Sequence, residues 1–253
     1  MPLFVRYHIA SSTAFGILEG DVIRQILGSP FTAYELSGVT ESLPEVKLLA
    51  PVEPSKIFCV GLNYRSHLQG RPEPKRPEMF LKPPTALQNP EDPIVIPKVA
   101  ENVHYEGELV IVIGRRAKGV SPEEAKKVIF GVTCGNDVSE RNWQNGADKD
   151  LQWWRAKGSD TFAPLGPAIA TGLNYNDVQL TTRYNGKVVQ QQRTSDLIFD
   201  CEAIVSWVSQ CVTLLPGDVI YTGTPGATSK IAPGDVIEVE IGGIGTLRNP
   251  VAA

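Results

Sequence analysis

The stretch His104-Tyr105-Glu106-Gly107-Glu108-Leu109-Val110-Ile111-Val112-Ile113 decides the fold. Its last five residues are an unbroken apolar run, mostly β-branched. That pattern predicts a strand buried on both faces, because a strand wetted on one side would alternate. Two glutamates open the run, two residues apart. Side chains along a strand repeat with period two, so both point the same way. Carboxylates that share a face beside a core repel one another and lose hydration, so each tends to bind a proton or a cation.

Working outward, Ser121-Pro122-Glu123-Glu124 supplies an N-cap, a proline at the first helical position and a capping-box glutamate. The short helix it opens is expected to end near Phe130-Gly131. A second buried strand, Val132–Cys134, follows and leads to Asp137. If the two strands are neighbours, Asp137 reaches the two glutamates. Three oxygen ligands without a thiolate or imidazole cluster favour a hard ion, Mg²⁺ or Mn²⁺, with positions left for water or substrate. Spacing alone leaves a second reading open, in which Glu106 and Glu108 form the solvated start of a strand and Asp137 is a turn residue.

The rest of the chain is also strand-rich. Residues 1–50 are short apolar runs broken by Gly and Pro, with alternation in Ala14–Leu18 and Asp21–Ile26, and are read as a small β-rich N-terminal domain. A boundary near Pro51 leaves 51–253 as the larger domain. It begins with an apolar strand at Ile57–Val60, a loop with a short helix at Gly61–Gly70, and an irregular, partly extended proline-rich connection at Pro72–Pro84. Asn185-Gly186 marks a hairpin, since that pair suits a turn with positive φ at both central residues. Ile204, Val205, Val208, Cys211 and Val212 recur at helical spacing after Asp200. Asp218–Thr222 and Val236–Ile241 read as strands. The sum is an α+β, mostly β fold and not a doubly wound sheet.

Composition excludes several classes. A net charge of −4 with no basic run gives a nucleic-acid backbone little to bind. No apolar stretch approaches bilayer length and the N-terminus lacks the pattern of a signal peptide, so a cytoplasmic protein without membrane partners is expected. Cys59, Cys134, Cys201 and Cys211 have no C-x-x-C spacing and are expected to be buried thiols. Gly223, Gly226, Gly242, Gly243 and Gly245 do not form a turn that opens a helix, which argues against a dinucleotide cofactor.

Several segments together resemble the fumarylacetoacetate hydrolase family: VGLNYRSH (60–67), MFLKP (79–83), HYEGELVIVIG (104–114), GNDVSERNWQ (135–144), RAKGSDTFAPLGP (155–167) and DVIYTGTPG (218–226). The resemblance runs from about Ile57 to Val251. It implies a mixed β-roll catalytic domain, commonly a homodimer, with Glu106, Glu108 and Asp137 as metal ligands. It further implies substrate contacts from Arg141, Gln144 and Thr224, and catalytic roles for Lys157 and for His67 on a mobile segment. A small 2-oxo acid would be the substrate, reacting through a pyruvate enolate that the cation stabilises.

Three functions follow from the resemblance. One is hydrolysis of a C–C bond in an acylpyruvate such as fumarylpyruvate, with His67 activating water. Another is oxaloacetate decarboxylation or tautomerisation, or isomerisation of a 2-hydroxymuconate-type diacid, at the same site. The last is a catalytically silent dimer that binds 2-oxo acids. The chain departs from the family at Gly70, where many hydrolases carry a glutamate that orients the histidine; Glu73 is the nearest substitute. His104 is read as orienting a ligating carboxylate or as structural, and Lys82 as reaching substrate or lying on the surface.

Overall fold

A computed structural model describes all 253 residues. Strand Gly107–Ile113 is buried along its whole length, as its composition requires. It lies inside a large sheet, flanked antiparallel by Ile129–Asn136 on one side and Val219–Tyr221 on the other. The two expected neighbours are therefore neighbours. The sheet continues through Ala163–Ala170 in one direction and through Ile57–Gly61 in the other. Its odd residues Leu109, Ile111 and Ile113 pack into a core shared with a second sheet and with helix Cys201–Cys211. Its even residues Val110 and Val112 enter a different core with Leu165, Ile169 and Tyr221. A strand clamped between two cores has no wet face, which explains the missing alternation.

The second sheet contains the hairpin of Gln179–Tyr184 and Lys187–Arg193, then Val236–Ile241 and Gly245–Ala252. Asn185 and Gly186 have φ of 50° and 77°, the pair of positive values that the Asn-Gly turn requires. Helix Pro122–Val128 carries the full capping box at Ser121 and Glu124. It stops at Val128, sooner than expected, because Ile129 already belongs to the next strand.

Residues 3–42 form a four-stranded antiparallel meander whose first strand, Leu3–Ile9, pairs with Ala163–Ala170. The N-terminal strands therefore extend the central sheet through continuous hydrogen bonding. The structure sharpens one sequence expectation and corrects another. The proline-rich connection contains an edge strand, Glu78–Lys82, paired with Ile57–Gly61; the prolines flank it and leave its N–H groups intact. Of the four cysteines Cys211 is exposed, at the end of its helix, while the other three are buried. No helix is long and apolar enough to cross a membrane.

Gly131 shows how closely the central strands approach. A Cβ there would lie 2.3 Å from the carbonyl oxygen of Ala170, a backbone atom that cannot swing aside. We expect Gly131→Ala to cost about 1–3 kcal/mol in chemical denaturation. Unchanged stability would show that the sheet spreads more readily than its packing implies.

Candidate active site

The pairing register delivers the carboxylates to one point. Gly107 faces Asn136 across the ladder, and the Asp137 N–H donates to the Glu106 carbonyl at 2.8 Å. Glu106, Glu108 and Asp137 are all buried, and one oxygen of each lies within 4.8 Å of the others. The glycine between the glutamates is dictated by space, since a Cβ on Gly107 would sit 2.0 Å from the Thr182 hydroxyl.

Three cations meet the three carboxylates. Lys157 Nζ donates to Glu106 Oε2 at 2.7 Å and to Asp137 Oδ2 at 2.6 Å. Arg141 Nη2 donates to Glu106 Oε1 at 2.5 Å, and its Nη1 donates to Gln144 Oε1 at 2.6 Å. Lys82 is neither on the surface nor at the substrate position that sequence left open. It is fully buried behind Asp137, with Nζ 2.6 Å from Oδ1. Its three N–H groups go to the carbonyls of Val138, Lys157 and Phe162 at 3.1, 2.6 and 2.7 Å. Lys82 thus meets Asp137 Oδ1 as a buried ion pair, with its N–H groups aimed at the three carbonyls.

The charges polarise one another. Burial and the neighbouring carboxylates of Asp137 and Glu106 push the Glu108 carboxyl well above the ordinary range. Burial acts the same way on Glu106, but Arg141 and Lys157 outweigh it and hold that carboxyl well below the ordinary range. Burial opposes the charge on Lys157, yet Asp137 and Glu106 keep its ammonium above the usual lysine value. The cluster therefore contains one carboxylate, Glu108, that its surroundings do not neutralise. With one oxygen from each of Glu106, Glu108 and Asp137 gathered at one point, this donor set fits a hard divalent cation.

His67 sits in a short 3-10 turn, Arg65–His67, at the rim of the same cavity. Its Nδ1 lies 2.5 Å from the Gly226 carbonyl oxygen. A carbonyl only accepts, so Nδ1 carries the proton and Nε2 is left as the basic nitrogen. Gly70 has φ of +86°, a conformation that a glutamate at the same place would adopt only under strain. Glu73 does not substitute for it, because Glu73 pairs with Arg65 at 3.1 Å. The histidine is thus oriented by backbone and not by a carboxylate.

A cavity of about 300 Å³ gathers all eight residues singled out from sequence: His67, Glu106, Glu108, Asp137, Arg141, Gln144, Lys157 and Thr224. Gln144 spends its carbonyl oxygen on Arg141 and keeps its amide N–H groups for the cavity. Thr224 has its hydroxyl proton on the Gly107 carbonyl at 2.8 Å, and accepts from Gln190. His104 orients no carboxylate. Its ring bonds Thr228 and Asn102, and burial together with Arg141 lowers its pKa to about 4, so it is neutral at neutral pH. Thr228, which also lines the cavity, was missed from sequence: it lies in a loop beyond the matching segments and has no spacing signal.

Residues 56–252 match the fumarylacetoacetate (FAA) hydrolase C-terminal family, and residues 3–51 match the Rv2993c-like N-terminal family. Protein Rv2993c of Mycobacterium tuberculosis is 47% identical over 251 residues, covering 94% of this chain and 93% of that one. Mitochondrial oxaloacetate tautomerase fahd2 of Xenopus laevis is 41% identical over 223 residues, 83% of this chain and 70% of that one. The crystal structure of 5-carboxymethyl-2-hydroxymuconate delta-isomerase from Mycobacterium smegmatis superposes with a TM-score of 0.92 at 46% identity, covering 100% and 99% of the two chains.

Glu108→Gln removes the isolated charge and keeps the shape. With chelator present at pH 7, we expect its Tm to equal or exceed that of the wild type. A carboxyl whose folded pKa is raised favours the fold below the ordinary carboxylate range, and that contribution is lost as pH climbs towards the folded value. A clear fall in Tm would mean that the charge on Glu108 stabilises the fold.

Proposed function

The chain belongs to the fumarylacetoacetate hydrolase family, and from that premise we propose that it moves a proton within a small 2-oxo diacid. The reaction is keto–enol tautomerisation, or the related double-bond shift of a 2-hydroxymuconate-type substrate, with Mg²⁺ or Mn²⁺ as cofactor. The observation that carries this reading is the partner of His67. A backbone carbonyl fixes the tautomer and leaves Nε2 basic, which is enough for a base that carries a proton between two atoms of one substrate. Activating water for C–C hydrolysis builds more charge on the imidazole, and a neutral carbonyl offsets that charge less than a carboxylate would. The relatives named as a tautomerase and an isomerase, each more than 40% identical, support the same choice.

Held by Glu106, Glu108 and Asp137, the cation would supply Lewis-acid stabilisation of negative charge on the 2-oxo oxygen. Lys157 and Arg141 line the cavity and add fixed positive charge where an enolate develops. Arg141 and the free amide N–H groups of Gln144 bind and orient the substrate carboxylate. Nε2 of His67 takes a proton from C3 and delivers it to the 2-oxo oxygen in one direction, and reverses this in the other. No water is consumed. The balance of charge favours a diacid. Three carboxylates and the three cations Lys82, Lys157 and Arg141 cancel, so a divalent cation leaves a surplus of roughly two positive charges for a dianion to meet.

The test follows ultraviolet absorbance of enolic oxaloacetate and of a 2-hydroxymuconate, and pyruvate release from acylpyruvates, with Mg²⁺, with Mn²⁺ and with chelator. We expect cation-dependent tautomerisation that outpaces C–C hydrolysis. Lys157→Met and His67→Ala should each lower kcat/KM about 10²-fold or more. Hydrolysis of an acylpyruvate as the faster reaction would overturn the choice, and oxalate binding without any turnover would point to a silent binding protein.

A further inference from the structure

The guanidinium of Arg141 is gripped from outside the carboxylate cluster as well as from within it. Its Nη2, which donates to Glu106, also donates to Thr228 Oγ1 at 2.9 Å. Thr228 Oγ1 in turn lies 2.9 Å from His104 Nδ1, and His104 Nε2 lies 2.9 Å from Asn102 Oδ1. The Asn102 amide nitrogen is turned to Asn142 Oδ1 at 3.3 Å, so its carbonyl oxygen faces the imidazole.

These contacts fix a direction. A guanidinium can only donate, so Thr228 accepts from Arg141 and its own proton needs an acceptor. Nδ1 of His104 is the acceptor within reach. A carbonyl oxygen can only accept, so Nε2 of His104 carries that ring's proton. Hydrogen bonds therefore run one way, from Arg141 to Thr228 to His104 to Asn102. The path closes on itself through the backbone, because the Arg141 N–H donates to the Asn102 carbonyl at 2.9 Å. The buried carboxylate of Glu140 ties the same two segments together by accepting from the N–H groups of Asn102 at 2.7 Å and Trp143 at 2.6 Å.

We propose that Thr228 and His104 are positioning residues, which hold the Arg141 guanidinium in one orientation so that its remaining N–H groups meet the substrate carboxylate. The inference rests on the functional reading above, in which Arg141 binds that carboxylate. A long arginine side chain otherwise loses rotamer freedom when substrate binds. A closed ring of directed hydrogen bonds removes that freedom in advance, and the gain appears as affinity. Neither residue needs to touch the reacting atoms.

The experiment has two readouts. Oxalate binding to the Mg²⁺-loaded protein is measured by calorimetry for wild type, Thr228→Val, Thr228→Ser, Arg141→Gln and the Thr228→Val/Arg141→Gln double variant. We expect Thr228→Val to weaken oxalate about tenfold, and Thr228→Ser to restore binding to within about threefold of wild type. The double variant should bind no more weakly than Arg141→Gln alone, since Thr228 acts through Arg141. Unchanged affinity in Thr228→Val, failure of serine to rescue, or full additivity in the double variant would overturn the inference. Imidazole ¹⁵N spectra of the ligand-free protein, which has only His8, His67 and His104, should show His104 as the Nε2–H tautomer and His67 as the Nδ1–H tautomer. His104 in the Nδ1–H form would overturn the inference whatever the calorimetry shows. Wild-type affinity for oxalate in Arg141→Gln would instead overturn the functional reading, and this inference with it.

Discussion

Three carboxylates brought together at the buried end of a strand are the constraint to which the rest of the site answers. Their mutual repulsion and lost hydration would expel them from the core unless cations of matching number stood beside them. The fold supplies those cations from three separate segments: Lys82 from an edge strand, Arg141 and Lys157 from two short helices. Lys82 has the most constrained position. With all three N–H groups on backbone carbonyls, it fixes the main chain at Val138, Lys157 and Phe162 while offering Asp137 only its charge. The arrangement pairs both oxygens of Asp137 with lysines and leaves Glu108 without an ion pair, accepting only from the Gly223 N–H. A divalent cation held by Glu106, Glu108 and Asp137 would supply the missing counter-charge, as the proposed function requires.

Sequence exposed the carboxylate cluster because two regular features coincided there. Period two placed Glu106 and Glu108 together, and the unbroken run Leu109–Ile113 announced a strand with no wet face. The neighbouring strand ending at Asp137 then needed only the antiparallel register that the structure supplies. Lys82 was not legible, since a lone lysine between Leu81 and Pro83 carries no pattern that separates burial from exposure. The Gly226 carbonyl on His67 was not legible either, because a backbone acceptor has no residue identity to read. The edge strand Glu78–Lys82 was legible only as part of a partly extended connection, because its flanking prolines argue for irregularity over a window longer than the strand itself.

The joining of the N-terminal strands to the central sheet belongs to the same class of hidden feature. Alternation in Ala14–Leu18 and Asp21–Ile26 predicted strands, and strands are found there. Their attachment, Leu3 opposite Ala170, is a pairing between residues far apart in sequence. Pairing partners of an edge depend on which strand is left open by the rest of the fold, and local composition does not record that. The consequence reaches the site indirectly, since Ala163–Ala170 also pairs with Ile129–Asn136, the strand that delivers Asp137.

His67 connects the backbone path to the chemistry. Gly70 lies in a left-handed conformation on the loop that carries the histidine, so the chain cannot place an unstrained glutamate there. The loop instead brings Nδ1 to the Gly226 carbonyl, in the segment that also carries Thr224 and leads to Thr228. The two histidines of the site then take opposite tautomers for one reason: each faces a carbonyl oxygen that can only accept, His67 through Nδ1 and His104 through Nε2. His67 keeps Nε2 free for a substrate proton, whereas the other nitrogen of His104 is spent on Thr228 and so on Arg141. On the proposed reading, one histidine moves a proton and the other holds still the cation that binds the substrate. The difference in role comes from which ring nitrogen the backbone and Asn102 leave unprotonated.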